Sequence, residues 1–234
     1  MTEEIKTLRI VSLYIFFIPL IAINLCLLIS TNSYLFDNTI FKVDQIGISG
    51  FTIPYIDGSL SISRASRTYP QYLIFKPAMV LTSVLLCIYW IKNNSLVNSF
   101  KNSFSKNNSF MIFGIFSAFF LVAHSLLLGV ETDVRVFKFL RRVVLLSFII
   151  FEIIAQALLV LNFFKLKEKI RDFYNLPILK VKIFLVSILI TVAILSIPLL
   201  IKTGNVHFKH GLEWNYFIGV ILFYLLTRLF WKKV

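Results

Sequence analysis

The chain has 234 residues, of which 58% are hydrophobic and only 15% charged, and Phe alone contributes 25. Soluble chains run at about 45–50% apolar and about 25% charged, so this one cannot cover a water-soluble fold with polar surface, and lipid is its predicted solvent. Its charges are lopsided, 24 Lys+Arg against 11 Asp+Glu for a formal net of +13. In a soluble protein that excess points to nucleic acid. In a membrane protein it first reports which side of the bilayer each loop occupies.

A bilayer-crossing helix needs about 20 apolar residues. Taken in chain order, six stretches meet this, roughly Ile10–Ser30, Leu73–Ile91, Ser109–Val130, Val143–Phe164, Ile183–Ile201 and Leu212–Phe230. The predicted fold is therefore an all-α integral membrane protein, a six-transmembrane-helix bundle forming a single membrane domain over residues 1–234. The first stretch exceeds the usual signal-peptide core of about 7–15 residues and lacks a small-x-small exit, so it is expected to stay as a helix. Cys26 and Cys87 both lie in apolar runs and read as small hydrophobes rather than a disulfide framework.

With both termini cytoplasmic, the inner segments carry 14 Lys and Arg, Lys182 among them, and the outer segments 10. The rule that positive loops stay inside favours this orientation. Arg141-Arg142, in the loop between the third and fourth spans, votes the other way. Asn93–Asn108, rich in Asn, Ser and Lys, reads as a flexible cytoplasmic linker, and its Asn-Asn-Ser glycosylation matches (Asn93-Asn94-Ser95 and Asn107-Asn108-Ser109) are discounted there. Residues 31–72 form a long loop of folded character on the outer face. Ile46, Ile48, Phe51, Ile53 and Tyr55 alternate as in a strand, and Asp57-Gly58 signals a turn.

Polar residues inside apolar runs are costly and draw attention. Glu152 is the one acid near the centre of a span, with Gln156 one turn later on the same face. The two are expected either to contact an ion, proton or head group, or to hydrogen-bond between helices. His124 falls in the outer half of the third span. His207 and His210 are expected in the fifth loop, just before Glu213 and Trp214, with Trp214 as an aromatic-belt residue. His124, His207, His210 and Asp57 are weak metal candidates because no tight ligand spacing joins them. No cofactor is expected: the chain has no Gly-rich phosphate loop, no Gly-x-Ser-x-Gly elbow and no redox Cys pair.

Two stretches carry a family resemblance. Pro54, then Ile62-Ser63, Pro70 and Phe75 precede the second span, and Glu213-Trp214 opens the last one a few residues after His207 and His210. In this pattern the chain resembles the Frag/DRAM/Sfk family of six-span membrane proteins, whose long first outer loop and last-span Glu-Trp pair it shares. A His that the family places near the start of the fourth span has no counterpart here, where Phe137, Phe139 and Leu140 stand. The resemblance implies a role in lipid handling, and a plasma or bacterial inner membrane is the expected location.

The expected function is accordingly non-enzymatic contact with membrane lipids at the outer face, through Arg64, Arg67, His207, His210, Glu213 and Trp214, with Arg64 and Arg67 pairing with phosphate. Membrane lipids are the expected partners, along with protein partners or a second copy of the chain, and nucleic acid is not. The alternatives are a membrane-embedded hydrolase or acyl-transfer enzyme using His207, His210, Glu213, Asp57 and His124, and a channel, transporter or structural subunit in which Glu152 is the functional group.

Overall fold

Inside a bilayer, backbone N–H and C=O groups have no water to bond, so a chain this apolar closes its hydrogen bonds within helices. The computed structural model describes residues 2–101, 108–130, 135–201 and 204–232, with the backbone alone at 135, 138, 200 and 201. Of the features anticipated above, Lys106, Asn107, Glu131, Asp133, Lys202 and Lys233, and the side chains of Arg135 and Lys138, lie outside the described residues. The described residues form α1 (Thr2–Thr31), α2 (Ile62–Ser66), α3 (Tyr72–Ser99), α4 (Ser109–Leu127), α5 (Arg135–Lys165), α6 (Leu176–Ile201) and α7 (Val206–Phe230). All but the short α2 are long and apolar enough to cross a membrane, which makes six spans. Each long helix packs on its successor and α7 returns to α1, so the bundle closes as a ring.

Apolar residues cover both faces of these helices, and what separates inside from lipid is packing. Along α1 the buried positions Ile5, Leu8, Ser12, Ile15, Ala22, Ile23 and Cys26 recur at helical spacing, while Ile10, Tyr14, Phe17, Ile21, Leu25 and Leu28 stay exposed. Small residues set the closest approaches: Gly114 of α4 lies flat against the Trp90 indole of α3, where a β-carbon would collide. At the end bearing the chain termini, the last carbonyls of α7 are taken up by the α5–α6 connection. Asn175 donates its backbone N–H to Phe230 O (2.9 Å) and its side chain to Leu229 O (2.8 Å). Arg9 of α1 adds a bond to Trp231 O (3.0 Å), and Tyr174 and Trp231 form an isolated antiparallel bridge.

The helices outrun the predicted spans. α1 begins at Thr2 because Ile5 and Leu8 continue its buried stripe. α3 runs on to Ser99, so Asn93–Ser99 is helix and not linker, with Asn93, Leu96 and Val97 buried. α6 starts at Leu176 and holds Pro177 in its first turn, where a missing N–H loses no bond. Lys182, assigned to a loop from the sequence, is therefore inside a span. His207 and His210 likewise belong to α7 and not to a loop.

The alternation at Ile46–Tyr55 does not make a strand. Gln45–Gly47 is a 3-10 turn, and no strand exists among the described residues for it to pair with. The segment is pinned instead to the end of α1, through Ser49 N–H on Ser30 O (2.8 Å) and the Ser30 hydroxyl on Gly47 O. With α2, residues 32–71 make a cap over one end of the bundle.

Gly58 in this cap has φ +60° and lies against the α7 backbone at His207 and Gly211. A side chain there meets both a left-handed backbone and the His207 carbonyl. Gly58→Ala is expected to cost about 2 kcal/mol or more, read as a lower unfolding midpoint in detergent. Gly50→Ala, in the same cap but with open space around it, leaves that midpoint in place.

Candidate functional site

The cap is sewn to the first two turns of α7. The His210 Nδ1–H donates to Gly58 O (3.0 Å), Trp214 Nε1–H to Leu60 O (2.8 Å) and Asn215 Nδ2–H to Tyr55 O (2.7 Å). The Tyr55 ring meets the Trp214 indole edge-on with centroids 4.8 Å apart, and its hydroxyl donates to Asn24 of α1 (3.1 Å). The Glu213 carboxylate faces the start of α2, on the side of the Ile62 and Ser63 backbone amides. Glu213-Trp214 and Ile62-Ser63, distant in sequence, are thus brought together at the seam that the Trp214–Leu60 bond fixes. Trp214, expected as an aromatic-belt residue, is fully buried and anchors the cap.

Between cap and helix lies an open groove of about 360 Å³ lined by Tyr55, Ile56, Asp57, His207, Phe208, Gly211, Leu212 and Asn215. Arg64 is exposed on α2 beside it, and Arg67 is half-buried with its carbonyl against Gly129. The Asp57 carboxylate serves the cap itself. It accepts from Ser59 N–H (2.8 Å), Ile53 N–H (2.8 Å) and the Thr52 hydroxyl (2.8 Å). His124 sits apart on α4, buried, with its Nδ1 unpartnered. Among the described residues, no group of three His, Cys, Asp or Glu is placed to share a metal.

A second polar cluster occupies the bundle interior. Glu152 is wholly buried and accepts from Ser117 Oγ of α4 (2.6 Å), Gln156 Nε2 (3.0 Å) and the Tyr224 hydroxyl of α7. Gln156 also donates to Val220 O (3.3 Å). Three donors from three helices suit a carboxylate deprived of water. Lys182 is equally buried, a position that sequence reasoning missed. Its Nζ donates to Thr227 Oγ1 (2.6 Å) and lies 3.8 Å from the centre of the Phe223 ring. A hydroxyl and an aromatic face stand in for a counter-ion. The signal available in the sequence was Thr227, a hydroxyl near the end of an apolar run, with Phe223 and Phe230 one turn to either side.

Asp57 gives the cap a pH signature. The Ser59 N–H chiefly, joined by the Ile53 N–H and the Thr52 and Ser59 hydroxyls, holds its carboxyl well below the usual carboxylate range. A depressed folded value stabilises the cap above the unfolded carboxyl range, near pH 4, and that stabilisation is lost as pH falls through the folded value. Amide protection at 52–59, relative to the intrinsic exchange rate at each pH, is expected to be flat from neutral down to about pH 5 and to fall only in stronger acid. Asp57→Asn removes the acid limb and raises exchange throughout.

No protein-family model, no curated protein and no solved structure matches this chain.

Proposed function

We propose that the protein is a non-enzymatic lipid-contacting membrane protein, with its cap seated in the head-group zone of the bilayer. The observation that carries this reading is the outer surface of the cap. Ile40, Phe51 and Ile56 are 83%, 90% and 85% exposed although they lie outside the spans, and Tyr34 and Leu35 are also exposed. Apolar side chains displayed this way need lipid or a partner to cover them. Arg64, exposed on α2 of the same cap, is available as a phosphate-pairing group, and the groove at the α7 seam offers Phe208 and Leu212 beside His207 and Asn215, a mixed lining suited to the boundary between acyl chain and head group.

In this reading the resemblance to the Frag/DRAM/Sfk family is retained, and the meeting of its two stretches at the seam fixed by Trp214 and Leu60 supports it. The cap faces outward from a plasma or bacterial inner membrane, and the Lys-rich connections at the opposite end face the cytoplasm. Asp57 and His210 act in holding the cap, which argues against their use in hydrolysis.

The test is the lipid that co-purifies with the protein. Arg64→Ala/Arg67→Ala is expected to lower bound anionic phospholipid by about half or more, since each lost charge at the surface is worth about 1 kcal/mol. Phe51→Ser/Ile56→Ser is expected to lower total bound lipid while the fold persists. Unchanged lipid content in both variants refutes the reading.

A further inference from the structure

Between Glu152 and Lys182 stand three hydroxyls, bonded in two segments that meet at the packed Tyr89 and Tyr224 rings. Lys182 Nζ donates to Thr227 Oγ1 (2.6 Å), and the Tyr89 hydroxyl meets the same oxygen (3.0 Å). The Tyr89 and Tyr224 rings lie 4.9 Å apart, and the Tyr224 hydroxyl bonds Glu152. Three buried polar atoms beside this column have no partner: Trp90 Nε1, Asn93 Oδ1 and Gln156 Oε1. Each belongs to a residue within one turn of Tyr89 or Glu152. An orphaned buried polar atom is costly, and in folded proteins such atoms are ordinarily met by ordered water.

The column is one-sided. Lys182 lies six residues, roughly 9 Å, into α6, and Thr227 three residues from the end of α7, both at the end of the bundle that bears the termini. Toward the cap, the inward face of α4 beyond Ser117 presents Ala118 and Leu121, an apolar stretch of roughly 10 Å before His124.

We propose that this column is a hydrated proton half-channel, which carries protons from the end of the bundle bearing the chain termini to Glu152 and stops there. Each hydroxyl or water accepts one proton and releases another, and the carboxylate ends as a carboxylic acid. Only O–H and N–H bonds change. Thr227 takes part by turning its O–H away from the Phe223 carbonyl (3.0 Å). The groups facing Glu152 are Tyr224 and Tyr89 from α7 and α3, Ser117 from α4 and Gln156 from its own helix, and Lys182 of α6 reaches the column through Thr227. The inference is independent of lipid contact at the cap.

Infrared spectroscopy of the full chain in liposomes tests it. The C=O stretch of a protonated carboxylic acid is expected to grow as pH is lowered and to shift promptly in heavy water. Glu152→Gln removes that band. Tyr224→Phe moves its frequency by deleting a hydrogen bond, which assigns the band to Glu152 even where the Gln variant does not fold. Thr227→Val keeps the band and slows its exchange about ten-fold, a barrier rise of about 1.4 kcal/mol. Ser125→Ala, on the cap side of α4, leaves the rate unchanged. A wild-type band that is absent at every pH, or that does not exchange, overturns the proposal. So does exchange that is indifferent to Thr227→Val or equally slowed by Ser125→Ala.

Discussion

Within a span, a polar group has only the protein to bond with, and among the described residues most side-chain bonds that leave a polar group's own helix in the spans involve α7. At one end His210, Trp214 and Asn215 take up the carbonyls of the cap. In the middle, Val220, Tyr224 and Thr227 receive or supply the bonds of Gln156, Glu152, Tyr89 and Lys182. At the other end, its last carbonyls bind Asn175 and Arg9. The ring of helices is held by apolar packing, but its rotational settings follow from these bonds. A helix turned by one residue on its axis, about 100°, loses its partners and leaves a charge or an amide buried without any.

The six spans were legible because a run of apolar residues long enough to cross lipid has few other uses. Their ends were not. A hydropathy pattern stops at the first charge or Asn cluster, whereas a helix stops where its hydrogen bonds stop. This is why Asn93 and Lys182 were placed in loops and why His207 and His210 were set outside the last helix. The cap misled for a related reason: alternation at Ile46–Tyr55 describes the side chains, but a strand also needs a neighbour, and none of the described residues provides one.

The interior site was half legible. Glu152 and Gln156 stood out as local exceptions in an apolar window, one turn apart on one face. Lys182 did not, since what permits its burial is a hydroxyl and two aromatic rings from a helix 41 to 48 residues further along the chain. The seam between Ile62-Ser63 and Glu213-Trp214 is non-local in the same sense. Each pair says little alone, and the link runs through a backbone carbonyl, that of Leu60, which leaves no mark on composition. Of the net charge of +13 read from the sequence, the one positive charge that matters most to the interior is the one that looked most like a loop residue.

The position of α7 has a consequence for biogenesis. A ribosome makes the chain from α1 onward, so Glu152 and Lys182 enter the membrane before Tyr224 and Thr227 have been synthesised. Until α7 arrives, both ionisable side chains are held without the hydroxyls they bond in the finished bundle, and the cap lacks the indole, imidazole and carboxamide that fasten it. The helix that closes the ring is thus made after the groups it must satisfy, and a nascent chain stalled before Val206 leaves an acid and an amine in its spans without those partners.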